Sequence, residues 1–277
     1  MNNDFDIITG ADGFIGRELS EELSKSKLIL LSRSKKNYKN KSYIQYKMET
    51  GIDTVIDSDI KINNVVHLAH DFSNKELDNK NINIKGTEDL ISFCKIRKSK
   101  LIYISSFMAI SPKTTYGKIK LECEELVKGY SKSTIIRPSV VVDYGGGVFG
   151  KLNRMFKYSP LFPIPGDGDY PMYYIGVKNL VRFISKTRSI DSNEIIHCYD
   201  TGPVNFKDLL DIQDKVTINL PIKLLKIILL IPQIFGIKLK SLSNDGLNTL
   251  LTMPLIDFKH KKYTDYFSIF SFIGKYF

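Results

Sequence analysis

The sequence predicts an α/β fold in which a doubly wound parallel sheet is covered by helices on both faces, with a small mixed region toward the C-terminus. Two observations carry this. Short apolar runs alternate with longer helical patterns through the first half of the chain, an order that requires parallel strands joined by crossover helices. The runs are also apolar along most of their length, as strands buried on both faces must be.

Phe5 to Thr9 (FDIIT) reads as the first strand and Phe14 to Ser24 as a helix. Lys27 to Ser32 is the second strand, Tyr43 to Tyr46 a short third and Asn64 to Ala69 a fourth. Leu77 to Ile96 has helical periodicity, Lys100 to Ser106 is the fifth strand, and a helix from about Thr115 to Tyr130 leads into the sixth, Ser133 to Pro138. After Pro138 the texture changes. Gly145, Gly146 and Gly147 form a flexible stretch, and Pro160, Pro163, Pro165, Gly166 and Gly168 punctuate the next segment. Ile195 to Tyr199 is a further strand and Lys207 to Asp214 a further helix. The division expected is a ligand-binding domain over 1–138 and a mixed, substrate-facing region over 139–277, some of whose segments return to the first domain.

The chain has 277 residues, 43% hydrophobic and 25% charged, enough to bury a full core. Its formal charge of +10 comes from lysines dispersed among asparagines and isoleucines, without a basic stripe interleaved with aromatics, so no nucleic-acid partner is expected. Cys94, Cys123 and Cys198 are odd in number and lack a CxxC pair, which argues against a disulfide framework or a metal site and for a reducing, cytoplasmic setting. Met1 to Asp6 lacks the features of a signal peptide. The apolar run Leu224 to Ile237 contains Lys226 and Pro232 and falls short of the roughly twenty residues that span a bilayer. It reads as a buried or groove-lining helix, without stable membrane insertion.

TGADGFIG places Gly10, Gly13 and Gly16 directly after the first strand, with Phe14 and Ile15 opening the helix. Bare backbone there lets a pyrophosphate approach, and the helix N-terminus offers unpaired N–H groups and partial positive charge. The third glycine lets helix and strand pack closely. The spacing is GxxGxxG rather than GxGxxG, so its position after a strand is what makes it a dinucleotide signal. About twenty residues on, where an acidic side chain would select the ribose 2′-hydroxyl of NAD, the sequence has Ser32, Arg33 and Ser34. Arg33, helped by Lys35 or Lys36, is suited to a 2′-phosphate, which favours NADP over NAD.

The fifth strand ends in Ser105 and Ser106, and the next helix carries Tyr116 and Lys120 four residues apart on one face. A phenol is a poor base near its ordinary pKa of about 10. A neighbouring ammonium and an oxidised nicotinamide favour its phenolate. Ser106 is then the partner of a substrate hydroxyl or carbonyl, Tyr116 the proton exchanger, and Lys120 both the electrostatic partner and a ribose contact.

Taken together, these segments resemble the extended short-chain dehydrogenase/reductase family, the NAD-dependent epimerase/dehydratase group. The matching segments are TGADGFIG (9–16), VVHLAH (65–70), NIKGT (83–87), IYISS (102–106), YGKIKLECEELV (116–127), IIRPSVVV (135–142), PIPGDG (163–168) and IGVKNLVRFI (175–184). The resemblance implies a Rossmann-type cofactor domain with a small C-terminal substrate domain, commonly a homodimer, acting on a nucleotide sugar or a related carbonyl compound. It implies Ser106, Tyr116 and Lys120 as the catalytic set. Leu68, Ala69 and Asn83 fall on the cofactor lining, and Arg137, Pro138 and Ser139 fall near the nicotinamide. Phe107 beside Ser106 and the cations Lys151 and Arg154 are the expected substrate contacts.

Several positions depart from the family pattern. His70 replaces a small residue, YKMET (Tyr46 to Thr50) lacks the acidic adenine contact, Ile119 replaces a serine, and only nine residues separate Ser106 from Tyr116. PMYYIGVKNL lacks the arginine with which many such enzymes grip a diphosphate. The function expected is an NADP- or NAD-dependent reductase or epimerase of a nucleotide sugar, specifically a 4-keto sugar reductase of surface-polysaccharide synthesis. The last step draws on the similarity of residues 220–237 to a helical part of polysaccharide-pathway members. A reductase of a small non-nucleotide carbonyl, which the missing arginine favours, and a non-catalytic cofactor-binding scaffold or sensor are the alternatives.

Overall fold

Each apolar run of the first half becomes a strand of one parallel sheet. In the computed structural model these are β1 (Phe5–Thr9), β2 (Leu28–Ser32), β3 (Ile44–Gln45), β4 (Ile62–His67), β5 (Lys100–Ile104) and β6 (Ser133–Pro138). The crossover helices are α1 (Phe14–Glu22), α2 (Ile82–Arg97) and α3 (Thr115–Lys128). The structure describes residues 4–34, 41, 43–73, 77–78, 80–143, 161–190, 193–207, 216–227 and 244–254. The later elements are β7 (Val140–Val142), β8 (Leu161–Pro165), β9 (Pro171–Gly176), α4 (Val177–Thr187), β10 (Ile195–Cys198), β11 (Thr201–Asn205), β12 (Val216–Leu220) and α5 (Asn244–Leu251).

The main sheet runs β10-β6-β5-β4-β1-β2-β3. Its seventh strand, β10, comes from the C-terminal half and pairs with β6, Ile196 opposite Ile136. Because successive side chains of a strand point to opposite faces, Ile7, Val65 and Leu101 pack with Leu90, Phe93 and Val127 under α2 and α3. Their neighbours Ile8, Val66 and Ile102 pack with Leu19, Leu180 and Phe183 under α1 and α4. This is the two-sided burial that the continuous apolar runs demanded. The remaining strands form a mixed three-stranded sheet, β11-β9-β7, and a parallel pair, β12-β8.

Capping chemistry sets the helix ends. The helix expected from Leu77 begins at Ile82, because the Asn81 side chain accepts the Asn83 N–H at 2.9 Å and fixes the first turn. It ends where Lys98 turns left-handed, at φ 56°. Of the helix expected over Lys207 to Asp214, all but Lys207 lies outside the described residues, as does Leu224 to Ile237 beyond residue 227. Leu225 is buried against Leu247 of α5. Among the described residues no helix is long and apolar enough to cross a membrane.

One polar cluster sits inside this apolar frame. Glu124 of α3, wholly buried, accepts Arg137 Nη2 at 2.5 Å and Arg137 Nε at 2.9 Å, together with the Ser105 hydroxyl. Arg137 Nη1 lies 3.4 Å from His197 Nε2 of β10. The cluster ties α3 to the ends of β5, β6 and β10. Removing one member of a buried pair leaves the other charge uncompensated, which costs about 3–5 kcal/mol. Glu124→Ala is therefore expected to lower the unfolding free energy by about that amount in urea titrations. A loss below about 1 kcal/mol would show that water reaches Arg137.

Candidate active site

The site begins at the turn leaving β1. Gly10 has φ +66°, and a Cβ there would stand 2.8 Å from the Ala69 nitrogen, so only glycine allows the two chain segments to approach this closely. The Thr9 hydroxyl oxygen accepts the Ala69 N–H at 3.2 Å and lies 2.7 Å from His67 Nδ1. The contact with the His67 ring joins the ends of β1 and β4. Burial and the Lys120 charge push His67 down to about 3, so the ring is neutral.

A cavity of about 490 Å³ opens over this turn. Gly13, the N-cap of α1, brings no side-chain cap, so the first N–H groups of the helix face the cavity unscreened. Two buried hydroxyls without hydrogen-bond partners also line it, Tyr46 on the β3 side and Ser139 on the β6 side. A glycine-walled helix start flanked by unsatisfied hydroxyls fits a dinucleotide. Gly10, Gly13, Phe14, Ile15, Gly16, Leu68, Ala69, Pro138 and Ser139 would hold it.

Ser106, Tyr116 and Lys120 line the same cavity. Ser106 caps a helical turn, Phe107–Ala109, by accepting the Met108 N–H at 3.2 Å. Thr114 caps α3 through Gly117 N–H. A Cβ on Gly117 would lie 2.5 Å from the Met108 carbonyl oxygen, so this glycine lets α3 press against the turn and brings Tyr116 to Ser106. Burial raises the Tyr116 phenol above its ordinary pKa, opposed by a hydrogen bond with Ser106. The sequence assigned that opposing role to Lys120. Here the Lys120 ammonium, nearly fully buried, donates to the Ile104 carbonyl at 2.8 Å and stands 4.9 Å from the centre of the Tyr103 ring. Burial pushes its pKa down to about 8, against the pull of Cys123 and Glu124.

Other expected residues are placed differently. Phe107, expected at the substrate, is 1% exposed and packs against Tyr173, His197 and Tyr199. Its ring turns inward because the capped turn buries it. Asn83, expected on the cofactor, is also buried and works one layer behind. It accepts the Asp71 N–H at 2.7 Å and donates to the Asp71 carbonyl at 3.1 Å. Arg137 points back to Glu124 rather than toward the cavity. Arg33 does line the cavity, but its Nη1 is 3.2 Å from Asp71 Oδ2. Lys35, Lys36, Lys151 and Arg154 lie outside the described residues.

Asp12, Asp71 and Phe72 escape sequence reasoning, whereas His70 and Tyr46 to Thr50 entered it as departures from the family pattern. His70 sets its ring edge-on to Tyr116 at 5.0 Å, and Phe72, 70% exposed, stacks on the same phenol at 5.6 Å. Burial, Lys120 and His67 hold His70 well below 6.5, so it too is neutral. Asp12, Tyr46, Met48, Glu49 and Asp71 also line the cavity. The signal that could have found Asp12, Asp71 and Phe72 is an acidic or aromatic residue directly after a glycine turn or strand end.

The model of the "NAD dependent epimerase/dehydratase family" matches residues 7–197. No curated protein matches the sequence. Solved structures share the Rossmann-type fold at low identity. MoeE5 in complex with UDP-glucuronic acid and NAD is 18% identical, with a TM-score of 0.65 over 78% of this chain and 85% of its own. The dTDP-glucose 4,6-dehydratase of Bacillus anthracis str. Ames, in complex with NAD, is 15% identical, with a TM-score of 0.66 over 78% and 84%. The UDP-N-acetylglucosamine 4-epimerase of Methanobrevibacter ruminantium M1 is 19% identical, with a TM-score of 0.63 over 79% and 85%.

The neutral His67 also bears on stability. Its folded pKa lies below the ordinary 6.5, so between 6.5 and about 3 the unfolded chain takes up a proton that the folded one refuses. Stability from this group is complete above pH 6.5 and is lost as pH falls through that window. Urea midpoints measured from pH 7 to pH 4 are expected to fall more steeply for the native protein than for His67→Gln. Parallel curves would rule out the assignment.

Proposed function

The chain belongs to the NAD dependent epimerase/dehydratase family, and from that premise we propose that it acts as a nicotinamide-dependent oxidoreductase or epimerase on a nucleotide sugar. The specific reading is a 4-keto sugar reductase of surface-polysaccharide synthesis. One observation carries it: Ser106, Tyr116 and the buried Lys120 all line one glycine-walled cavity. MoeE5 is bound to UDP-glucuronic acid, and the dehydratase and the epimerase are named for nucleotide sugars, which supports the substrate class.

When bound, the dinucleotide supplies or accepts the hydride. The protein handles the proton. The Ser106 hydroxyl orients the substrate oxygen by hydrogen bonding, and Tyr116 Oη gives that oxygen its proton in the reducing direction or takes it in the oxidising one. Lys120 uses one N–H on the Ile104 carbonyl, and its other donors suit the ribose hydroxyls. His70 and Phe72 wall the ring of Tyr116, so the phenol can approach the substrate only through its hydroxyl edge.

The test is turnover of a panel of 4-keto nucleotide sugars, followed by nicotinamide absorbance and by product analysis for epimerisation. Tyr116→Phe is expected to lower turnover by about 10²–10⁴-fold while dinucleotide affinity stays within about threefold. Unchanged turnover in that variant would remove the proton-transfer role. Turnover confined to small aldehydes and ketones would move the substrate to the non-nucleotide class, and coenzyme binding without any turnover would leave a scaffold or sensor.

A further inference from the structure

The segment after β4 brings two rings to the phenol of Tyr116. His70 stands edge-on to Tyr116, with ring centres 5.0 Å apart, and edge-on to Phe72 at 4.6 Å. Phe72 lies nearly parallel to Tyr116, at 22° and 5.6 Å. All three line the cavity. The loop that carries the first two is held from behind: the residue between them, Asp71, is fastened through its backbone by Asn83 and through its carboxylate by the Ser73 N–H and hydroxyl.

This held loop presents one apolar and one polar group side by side. Phe72 uses one face on Tyr116, yet the residue is 70% exposed, so much of the rest of the ring is open. An exposed aromatic alone means little. This one lies against the group that would exchange the substrate's proton. His70 stands where the sequence departs from the family pattern, and among the described residues its ring touches Phe72 and Tyr116 and makes no hydrogen bond. Burial, with Lys120 and His67 adding to it, keeps the imidazole neutral. A neutral imidazole has one N–H donor and one acceptor nitrogen. Those functions match a hydroxyl, which also donates and accepts, and bring no positive charge to a phosphate. An aromatic face beside a single polar group is how apolar pockets orient a ligand.

We propose that His70 and Phe72 grip the sugar ring of the substrate beside Tyr116, the imidazole by hydrogen bonding a sugar hydroxyl and the phenyl ring by stacking on the apolar C–H face. The inference rests on the nucleotide-sugar reading above and names the residues that recognise the sugar. A site that hydrogen-bonds a hydroxyl discriminates strongly against sugars lacking it, so this pair sets which sugars are accepted.

The experiment is calorimetric titration of the protein, in saturating NADH, with UDP-glucose, UDP-glucuronic acid and dTDP-glucose, each beside UDP or dTDP alone. The ratio of the two affinities reads the sugar's share. In the native protein at least one nucleotide sugar binds more tightly than its parent diphosphate. His70→Ala and Phe72→Ala each lower that ratio about fivefold, the worth of one hydrogen bond or one ring contact, and leave affinity for the parent diphosphate within about threefold. His70→Gln, which keeps a donor and an acceptor, retains most of the ratio, whereas His70→Leu, of similar bulk, does not. If His70→Ala melts before it can be titrated, the Gln and Leu variants carry the test. An unchanged ratio in either Ala variant overturns the proposal, as do equal losses for sugar and parent diphosphate, or a His70→Leu variant as good as His70→Gln. Native protein that binds NADH but none of these sugars or diphosphates overturns the nucleotide-sugar reading itself.

Discussion

The close approach of two backbone segments, Gly10 after β1 and Ala69 after β4, is the constraint on which the site rests. It is sterically open to glycine alone, since a Cβ at Gly10 would stand 2.8 Å from the Ala69 nitrogen. The Thr9 hydroxyl locks it by accepting the Ala69 N–H while bonding the His67 ring. That lock turns the start of α1 toward the cavity and sends the chain after β4 around its rim, where it delivers His70, Asp71 and Phe72. A parallel sheet gathers the C-terminal ends of its strands along one edge, but it does not by itself bring adjacent loops into contact. The Thr9 clamp does.

A second layer stabilises the first. Asn83 contributes by fastening the Asp71 backbone, and Glu124 contributes by holding Arg137 and Ser105, the latter adjoining Ser106. Both are buried, and neither announces this role in the sequence. Their common effect is to fix loop segments whose own side chains face the cavity. Active-site geometry must be held within a fraction of an ångström to be useful, and hydrogen bonds from rigid helices to strand ends supply that rigidity.

The sheet was largely legible because burial on both faces writes itself into the sequence as continuous apolar runs, as at Ile7–Ile8 and Leu101–Ile102. The glycine turn and Tyr116–Lys120 were legible because sequence spacing alone sets them after a strand and on one helix face. What failed were statements about direction. Whether Phe107 points out or in depends on the turn capped by Ser106, and whether Asn83 meets a ligand or the Asp71 loop depends on a contact with residues twelve positions earlier. Arg33 shows the same limit. Its position after β2 was readable, but its partner comes from beyond β4, a neighbour only through the strand order. β10 was readable as a strand, whereas its place beside β6 depends on the connections between them.

The site's titration behaviour follows from burial, with one buried charge adding to it. Burial keeps both His67 and His70 from protonating, and the charge of the nearly fully buried Lys120 adds to it. Held this low, neither imidazole takes up a proton at neutral pH. Lys120 is itself pushed down to about 8 by burial, with Cys123 and Glu124 opposing the shift. Glu124 thereby links the two halves of the design. The same carboxylate that pairs with Arg137 also favours the charged form of Lys120.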